Sequence, residues 1–324
     1  MIPKNLQNNN PKSDLNNFKI KKDNQLYLYD LYSKFNIKKA NDVLSCGIDL
    51  WFLLKEHKKT LEQKLFLENM YTCKDRFCHF CNWRREMKYK KLTYQFIDEL
   101  HSRKRLRYIF LTLTVPNCHI SDLRATIQHM SQSFQRMKQT KRFKSSIVGY
   151  MRALEYTVQK DDNSMIHPHF HCMLAVEPAY FSPDRDLYIN QDDFMKMWIK
   201  ALRLDRDFLE VDIRVVKADK YKKTRPSVIA EMIKYTMKDT DIQKVVDFEE
   251  LTKQLKGIRT FNAGGILKGI LKSVKTIDDD LVHLDDEDKD KLWIALERVL
   301  FSYEKKANET NYFERKRTKV NNVF

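Results

Sequence analysis

A chain of 324 residues with 60 Lys and Arg against 44 Asp and Glu carries a formal net charge of +16, so its surface attracts polyanions, meaning nucleic acid or an acidic membrane face. Its length supports one large domain with appendages, or two domains. No apolar run approaches the roughly 18 residues of a bilayer span, and the first 25 residues lack the apolar stretch of a secretory signal; the expectation is a cytoplasmic protein that binds nucleic acid and no membrane.

Residues 1–25 are rich in Asn, Lys and Asp with little to bury, and read as a poorly ordered tail. Residues 26–104 hold Cys46, the apolar run Leu50-Trp51-Phe52-Leu53-Leu54 and the cluster Cys73-x4-Cys78-x2-Cys81. Thiolates at that spacing bind Zn²⁺ tetrahedrally, and Cys46 is the natural fourth ligand. His79 is a substitute whose place beside Cys78 strains the geometry, and reduced, buried thiols are the rival reading. Cys118 and Cys172 read as packing residues. After the cluster, Trp83, Met87, Leu92 and Phe96 roughly follow helical spacing, with Arg and Lys on the other sides.

Tyr108 to Val115 is β-branched and aromatic and ends at Pro116-Asn117, which predicts a central strand. The spacing of Leu123, Ile127, Met130, Phe134 and Met137 predicts an amphipathic helix from Ser121 to about Lys141. Strand 147–158, the turn Asp161-Asp162-Asn163 and strand 166–176 make a β-hairpin. A helix over 190–204 and a strand over 211–217 complete an antiparallel sheet with helices against it, and a further helix covers about 226–238. Beyond Asp239 the pattern is weaker. Ala263-Gly264-Gly265 marks a turn or close approach, 278–280 and 285–288 are acidic solvated runs, and a helix over 289–303 leads to the basic tail Arg315-Lys316-Arg317. The fold class expected is α+β, a central antiparallel sheet flanked by helices behind a zinc-stabilised N-terminal segment. The expected domains are a disordered tail (1–25), a zinc-binding, DNA-binding segment (26–104), a catalytic domain (105–240) and a helical C-terminal region with a basic tail (241–324).

Chemistry concentrates in His167-Pro168-His169-Phe170-His171. On a strand the three imidazoles share one face, and imidazole is the commonest side-chain metal ligand. Pro168 restricts this strand to an edge, or its own position to the strand's beginning. Glu155, in the preceding strand and in register with roughly residue 169, is the expected carboxylate partner. Imidazoles with one carboxylate suit Mn²⁺ or Mg²⁺ with positions open to substrate oxygens, and such an ion would polarise a phosphodiester. A second constellation is Glu231 and Tyr235, one helical turn apart, with Lys238 further along the same stripe. A phenol needs a cation or base to become a nucleophile, and Glu231 would accept a proton from a phenol or a water.

Taken together, these stretches resemble the HUH endonucleases, specifically the rolling-circle replication initiators of small bacterial plasmids. Phe110-Leu111-Thr112-Leu113-Thr114 resembles the first motif. His169-Phe170-His171 resembles the His-hydrophobic-His motif, and Tyr235-Thr236-Met237-Lys238 the Tyr-x-x-Lys motif, preceded by a glutamate as in the single-tyrosine group. The order of the motifs over about 105–240 is the family's.

The resemblance implies a palm-like catalytic domain that nicks and rejoins a plasmid origin, single-stranded or extruded as a hairpin. Tyr235 would form a 5′-phosphotyrosyl link and free a 3′-OH for a host polymerase, with a host helicase unwinding. Glu231 would activate water for release, and Lys238 would hold the phosphate. His169, His171, Glu155 and His167 would carry the Mn²⁺ or Mg²⁺; Cys46, Cys73, Cys78 and Cys81 a structural Zn²⁺; and Arg84 and Arg85, after the cysteines, would meet DNA phosphates. A homodimer is compatible with it. Two alternatives stay open at this point: a relaxase or single-strand transposase of the same superfamily, and a non-cleaving, zinc-dependent DNA-binding repressor.

Overall fold

The computed structural model describes residues 11–203, 211–215, 242–271, 292–306 and 309–320. The helix expected over 226–238, with Glu231, Tyr235 and Lys238, and the acidic runs at 278–280 and 285–288 lie outside the described residues. In chain order the helices are α1 (Pro11–Ser33), α2 (Ile37–Ser45), α3 (His79–Arg103), α4 (Leu123–Gln139), α5 (Lys141–Ser146), α6 (Gln191–Leu202) and α7 (Phe248–Leu255). The strands are β1 (Asp49–His57), β2 (Gln63–Met70), β3 (Arg107–Thr114), β4 (Cys118–His119), β5 (Gly149–Val158), β6 (Met165–Val176), β7 (Val211–Val215), β8 (Phe261–Gly265), β9 (Trp293–Lys306) and β10 (Glu309–Lys319). The class is α+β, with antiparallel sheets flanked by helices.

The chain divides into two compact units, Met1–Arg85 with Asp278–Phe324, and Glu86–Ile277. The first contains a four-stranded sheet in the order β10-β9-β1-β2. Leu50, Phe52, Val299 and Phe301 are buried on one face, brought together by the pairs Leu50↔Phe301 and Phe52↔Val299. Phe18 of α1 meets Phe52 edge-on at 5.8 Å and stacks on Phe80 at 6.0 Å.

Two expectations are corrected here. Residues 11–25 form part of α1 rather than a disordered tail. Phe18, Lys22, Gln25, Leu28 and Tyr32 are all buried, and their spacing of three, four and seven makes one helical face. That face looks polar because Lys22 and Gln25 are buried against hydrogen-bond acceptors. The second correction concerns the helix expected over 289–303: from Trp293 on the chain is β9, and Arg315-Lys316-Arg317 lies in β10 rather than in a loose tail. WIALERVLF has helix-forming composition, but pairing with β1 overrides local preference. The region 241–324 is therefore not one helical appendage: 242–271 belongs to the second unit, and β9 and β10 to the first.

The second unit is built on a sheet in the order β7-β3-β6-β5-β8, with β4 also paired to β6. On one face Ile97 of α3 packs with Met151, Ala153, Met173, Ala175, Phe261 and Ala263. Against the other, Phe134 of α4 meets Tyr150 at 5.1 Å and Phe170 at 6.4 Å. Trp198 of α6 donates its indole N–H to the Thr114 carbonyl at 2.8 Å. The close approach expected at 263–265 is present: Gly265 has φ +60°, and a Cβ there would lie 2.3 Å from the Val148 oxygen. Among the described residues no helix is long and apolar enough to cross a membrane.

Candidate functional site

Antiparallel pairing assembles the hairpin site. β6 runs between β3 and β5, with Glu155 directly opposite His169 and Ala153 opposite His171, while on the other flank Thr114 faces His169 and Thr112 faces His171. Side chains opposite one another share a face, so Glu155, His169 and His171 converge, and all three are buried. The stretch Phe110–Thr114 thus lies alongside the histidine stretch. Pro168 sits in a central strand, contrary to expectation. Its position falls between the last β3 partner, Thr114↔His169, and the first β4 partner, Cys118↔Ile166, where that ladder is interrupted and no donor is required.

Glu155 Oε2 lies 3.1 Å from His169 Nε2 and 2.7 Å from His171 Nε2. His169 Nδ1 is 3.3 Å from the His167 carbonyl. A carbonyl only accepts, so His169 Nδ1 is the donor of that pair. In the neutral ring Nε2 then turns a lone pair toward the carboxylate oxygen, and a cation between them completes the arrangement. Ligand atoms at right angles around an ion with bonds of about 2.1 Å stand about 3.0 Å apart, close to what is seen. The three donors fit a divalent ion and leave further coordination positions open.

His167 is the one expected ligand that stands apart. Its Nδ1 is 2.7 Å from Asn117 Oδ1, and the cluster of potential ligand atoms contains only Glu155, His169 and His171. The reason is reach: with Glu155 across from 169 rather than 167, the carboxylate meets the two inner imidazoles. Sequence reasoning missed Thr112, whose hydroxyl lies 3.3 Å from His171 Nδ1. Its alternation with the apolar residues of 109–113, on the face of the histidines, was the available signal.

Four cysteines, Cys46, Cys73, Cys78 and Cys81, form the other group of potential metal ligands among the described residues, their sulphurs all within 4.8 Å of one another. Sγ separations are 3.7 Å for Cys46–Cys81, 3.7 Å for Cys73–Cys81 and 3.5 Å for Cys46–Cys78. Those are far beyond a disulfide bond of about 2.05 Å. They match the edge of a tetrahedron, about 3.8 Å for metal–sulphur bonds of about 2.3 Å. Cys46 fills the fourth corner, not His79. Hydrogen bonds among the sulphurs hold the Cys73 thiol far below its ordinary value and push Cys46 and Cys81 up, while burial pushes Cys78 up. A metal cation would favour the thiolate at all four.

Surrounding groups come from stretches the sequence did not mark. Gln25 donates to Cys78 Sγ at 2.9 Å, and Lys22 donates to the carbonyls of Cys46, at 2.9 Å, and Leu44. Burial lowers the Lys22 ammonium to about 8, against the pull of the thiolates. Asp75 closes the loop between Cys73 and Cys78, accepting from Phe77 N at 2.8 Å and from the Tyr32 hydroxyl at 3.0 Å. Arg84 and Arg85 both have protein partners. Arg84 is buried, its guanidinium 4.9 Å from the Trp83 ring centre. Arg85, half-buried, donates to the carbonyls of Asp75 at 3.0 Å and Lys74 at 2.5 Å and so braces the cysteine loop.

Residues 64–313 match the Rep_1 replication protein family. The chain is 35% identical over 290 residues to a "Protein rep" from Lentilactobacillus hilgardii, covering 86% of this chain and 88% of that one. To a "Protein rep" from Lactiplantibacillus plantarum it is 33% identical over 290 residues, 85% and 88% of the two chains. A "Protein rep" from Streptococcus pneumoniae is 33% identical over 272 residues, 81% and 82%. No solved structure matches the chain. The resemblance carried by the ordered motifs is borne out at the level of the family: this chain belongs to the replication protein family.

Proposed function

We propose that the protein initiates rolling-circle replication of a plasmid by nicking and rejoining origin DNA through a tyrosyl intermediate. The observation that carries this reading is the buried shell of Glu155, His169 and His171, with its acceptor atoms turned toward one another. Glu155, His169 and His171 would hold Mn²⁺ or Mg²⁺, which supplies positive charge beside a scissile phosphate. The His167 carbonyl faces His169 Nδ1 and the Thr112 hydroxyl faces His171 Nδ1, contacts that would orient the two rings toward the ion. The shell supports this reading over a repressor that only binds DNA.

From the sequence motif, the Tyr235 oxygen attacks phosphorus, its proton passing to a base or solvent. The O3′–P bond breaks, giving a 5′-phosphotyrosyl link, and the departing 3′-oxygen takes up a proton. That 3′-OH would prime a host polymerase on DNA kept open by a host helicase. At termination Glu231 takes a proton from water, which attacks the scissile phosphate of the regenerated origin and frees a second 3′-OH. That hydroxyl attacks the phosphotyrosyl phosphorus, which rejoins the strand and expels Tyr235, and the phenolate takes up a proton. Lys238 holds the phosphate. Because the nucleophile needs an unpaired strand, the origin is presented single-stranded or as an extruded hairpin. Cys46, Cys73, Cys78 and Cys81 would hold a structural Zn²⁺ in a shell with no open position.

The test is a covalent adduct on a single-stranded origin oligonucleotide in Mn²⁺ buffer, with the DNA-linked peptide identified by mass spectrometry. Tyr235→Phe should abolish the adduct, and Glu231→Ala should leave nicking while slowing hydrolytic release. DNA attached to a different residue, or equal loss of both steps in Glu231→Ala, would contradict the assignment.

A further inference from the structure

The sheet of the first unit buries one face and leaves aromatic side chains half-exposed on the other. At the end of that sheet near the β1–β2 turn, Phe66 and Trp293 meet edge-on at 5.1 Å, and Trp293 meets His57 at 5.0 Å. Leu61 and Leu292 are exposed at the same end, Leu61 at 69%. Soluble surfaces rarely gather large apolar groups in one patch without a use for them.

Cations rim the patch. The Lys55 ammonium lies 5.1 Å from the Phe66 ring centre and Lys64 5.6 Å from that of Trp293. Lys58 and Lys59 are exposed in the turn between the two strands. The neighbouring carboxylates are engaged: Glu68 takes both donors of Arg298 at 2.6 and 2.5 Å, Glu56 accepts from Gln63, and Glu62 pairs with Lys64. Four lysines thus stand around an aromatic pair with two carboxylates, Glu56 and Glu62, among them.

Aromatic faces ringed by lysines suit one partner chemistry above others. An unpaired nucleotide offers a flat base to a ring and a phosphate to an ammonium at once, whereas a duplex hides its base faces in the stack. We propose that this end of the first unit binds single-stranded DNA, with bases stacked on Trp293 and Phe66 and phosphates held by Lys55, Lys58, Lys59 and Lys64. A lysine now over a ring moves to the phosphate as the base takes its place. The platform lies outside the residues proposed for nicking and serves a different step, retention of a displaced or extruded strand.

The experiment uses the full chain with its metals and a fluorescein-labelled oligothymidylate of about 20 nucleotides, a length that spans more than one stacking site. Trp293→Leu and Phe66→Leu should each weaken binding about tenfold, the equivalent of one stacked base, with far-UV circular dichroism and duplex affinity unchanged. Trp293→Phe, which keeps a ring, should restore most of the affinity. Lys55→Gln with Lys64→Gln should lower the salt slope of log K by about 1.4, two phosphates' worth on a single strand. Adduct formation on a minimal origin oligonucleotide should be unaffected by Trp293→Leu, so failure here and failure of the nicking reading are separable. Unchanged oligothymidylate affinity in the leucine variants overturns the proposal. Equal losses for duplex and single strand also overturn it. So does a change in sedimentation without a change in affinity, which would make the patch a contact between copies.

Discussion

Glu155→Gln tests the hairpin site because it is expected to move two quantities in opposite directions. In the wild-type protein without metal, the Glu155 Oε2 atom lies 3.1 and 2.7 Å from two imidazole nitrogens, and a neutral His169 ring with its proton on Nδ1 presents a lone pair to it. Two acceptors held face to face in a buried site cost about 1–3 kcal/mol. A glutamine of the same shape turns an N–H₂ to this place and donates where the carboxylate could only accept, a gain of about 1 kcal/mol per bond. Desolvation of a carboxylate is removed as well. The metal-free variant should therefore be more stable than wild type by about 1–3 kcal/mol. That corresponds to a rise of several degrees in Tm, at about 2–4 °C per kcal/mol for a domain of this size.

Metal binding should go the other way. An anionic donor becomes a neutral amide that must rotate its oxygen back toward the ion, and the Mn²⁺ Kd should weaken at least a hundredfold, about 2.7 kcal/mol. The assays are thermal melts after dialysis into metal-free buffer and Mn²⁺ titration by calorimetry. Dialysis without a strong chelator leaves a four-thiolate zinc in place, so the first unit is a constant background. A variant that is less stable than wild type without metal, yet binds Mn²⁺ as tightly, would refute the facing-acceptor argument.

Three other expectations follow from the same geometry. Cys73→Ser removes one corner of the sulphur tetrahedron, and metal analysis should fall from about one zinc per chain to under half; a full equivalent retained would count against the four-cysteine site. Asp75→Ala strips the acceptor from the buried Tyr32 hydroxyl and Phe77 N–H. At about 1–3 kcal/mol each the loss is about 4 kcal/mol in urea unfolding, with Asp75→Asn costing less; equal, small costs would show that the loop is held another way. Asp162 accepts from the Ser164 N–H at 2.9 Å and its hydroxyl at 2.6 Å, bonds that hold its carboxyl below the usual value. Its stabilisation of the turn is complete above the unfolded pKa, about 3.9, and is lost as the pH falls through the lower folded value. A carbon-13 titration should find it low in wild type and raised in Ser164→Ala, and an ordinary value in wild type would refute the bond.

Where sequence and structure agree, the information was local. A short polar turn between two runs of period two fixes the hairpin, so Glu155 opposite His169 could be read by counting. Cysteine spacing was equally legible, because few residue sets satisfy tetrahedral sulphur. Two of the disagreements come from partners that are remote in sequence. Lys22 and Gln25 look like solvent-facing residues until the carbonyl of Cys46 and the sulphur of Cys78 are set against them. Trp293 to Phe301 looks helical until β1, more than 200 positions earlier, supplies its ladder. Arg84 and Arg85 were given to DNA by the resemblance and by charge, and neither reveals that Trp83 and the carbonyls of 74 and 75 engage them. A sound rule put Pro168 on an edge strand or at a strand's beginning, and the gap between β3 and β4 that satisfies the rule further along cannot be seen in the residues.

The chemistry of the second unit depends on register more than on any single ligand. Moving β5 by one residue against β6 would bring Leu154 or Tyr156 opposite His169 and send the Glu155 side chain to the opposite face, among Phe134 and Phe170. No rotamer of the histidines recovers that loss, since the nearest acid on the strand would then be across the sheet. The turn holding Asp162 and Ser164, exposed and distant from any ligand, is therefore part of the metal site's specification. Gln159 N to the Met165 carbonyl at 2.9 Å and Met165 N to the Asp162 carbonyl at 3.0 Å are the bonds that set the count. Inserting one residue between Asp162 and Ser164 should abolish Mn²⁺ binding while leaving the zinc content unchanged. Replacing exposed turn side chains at constant length, as in Asp161→Asn, should leave both intact. An insertion variant that still binds Mn²⁺ with wild-type affinity would show that the site is assembled by something other than strand register.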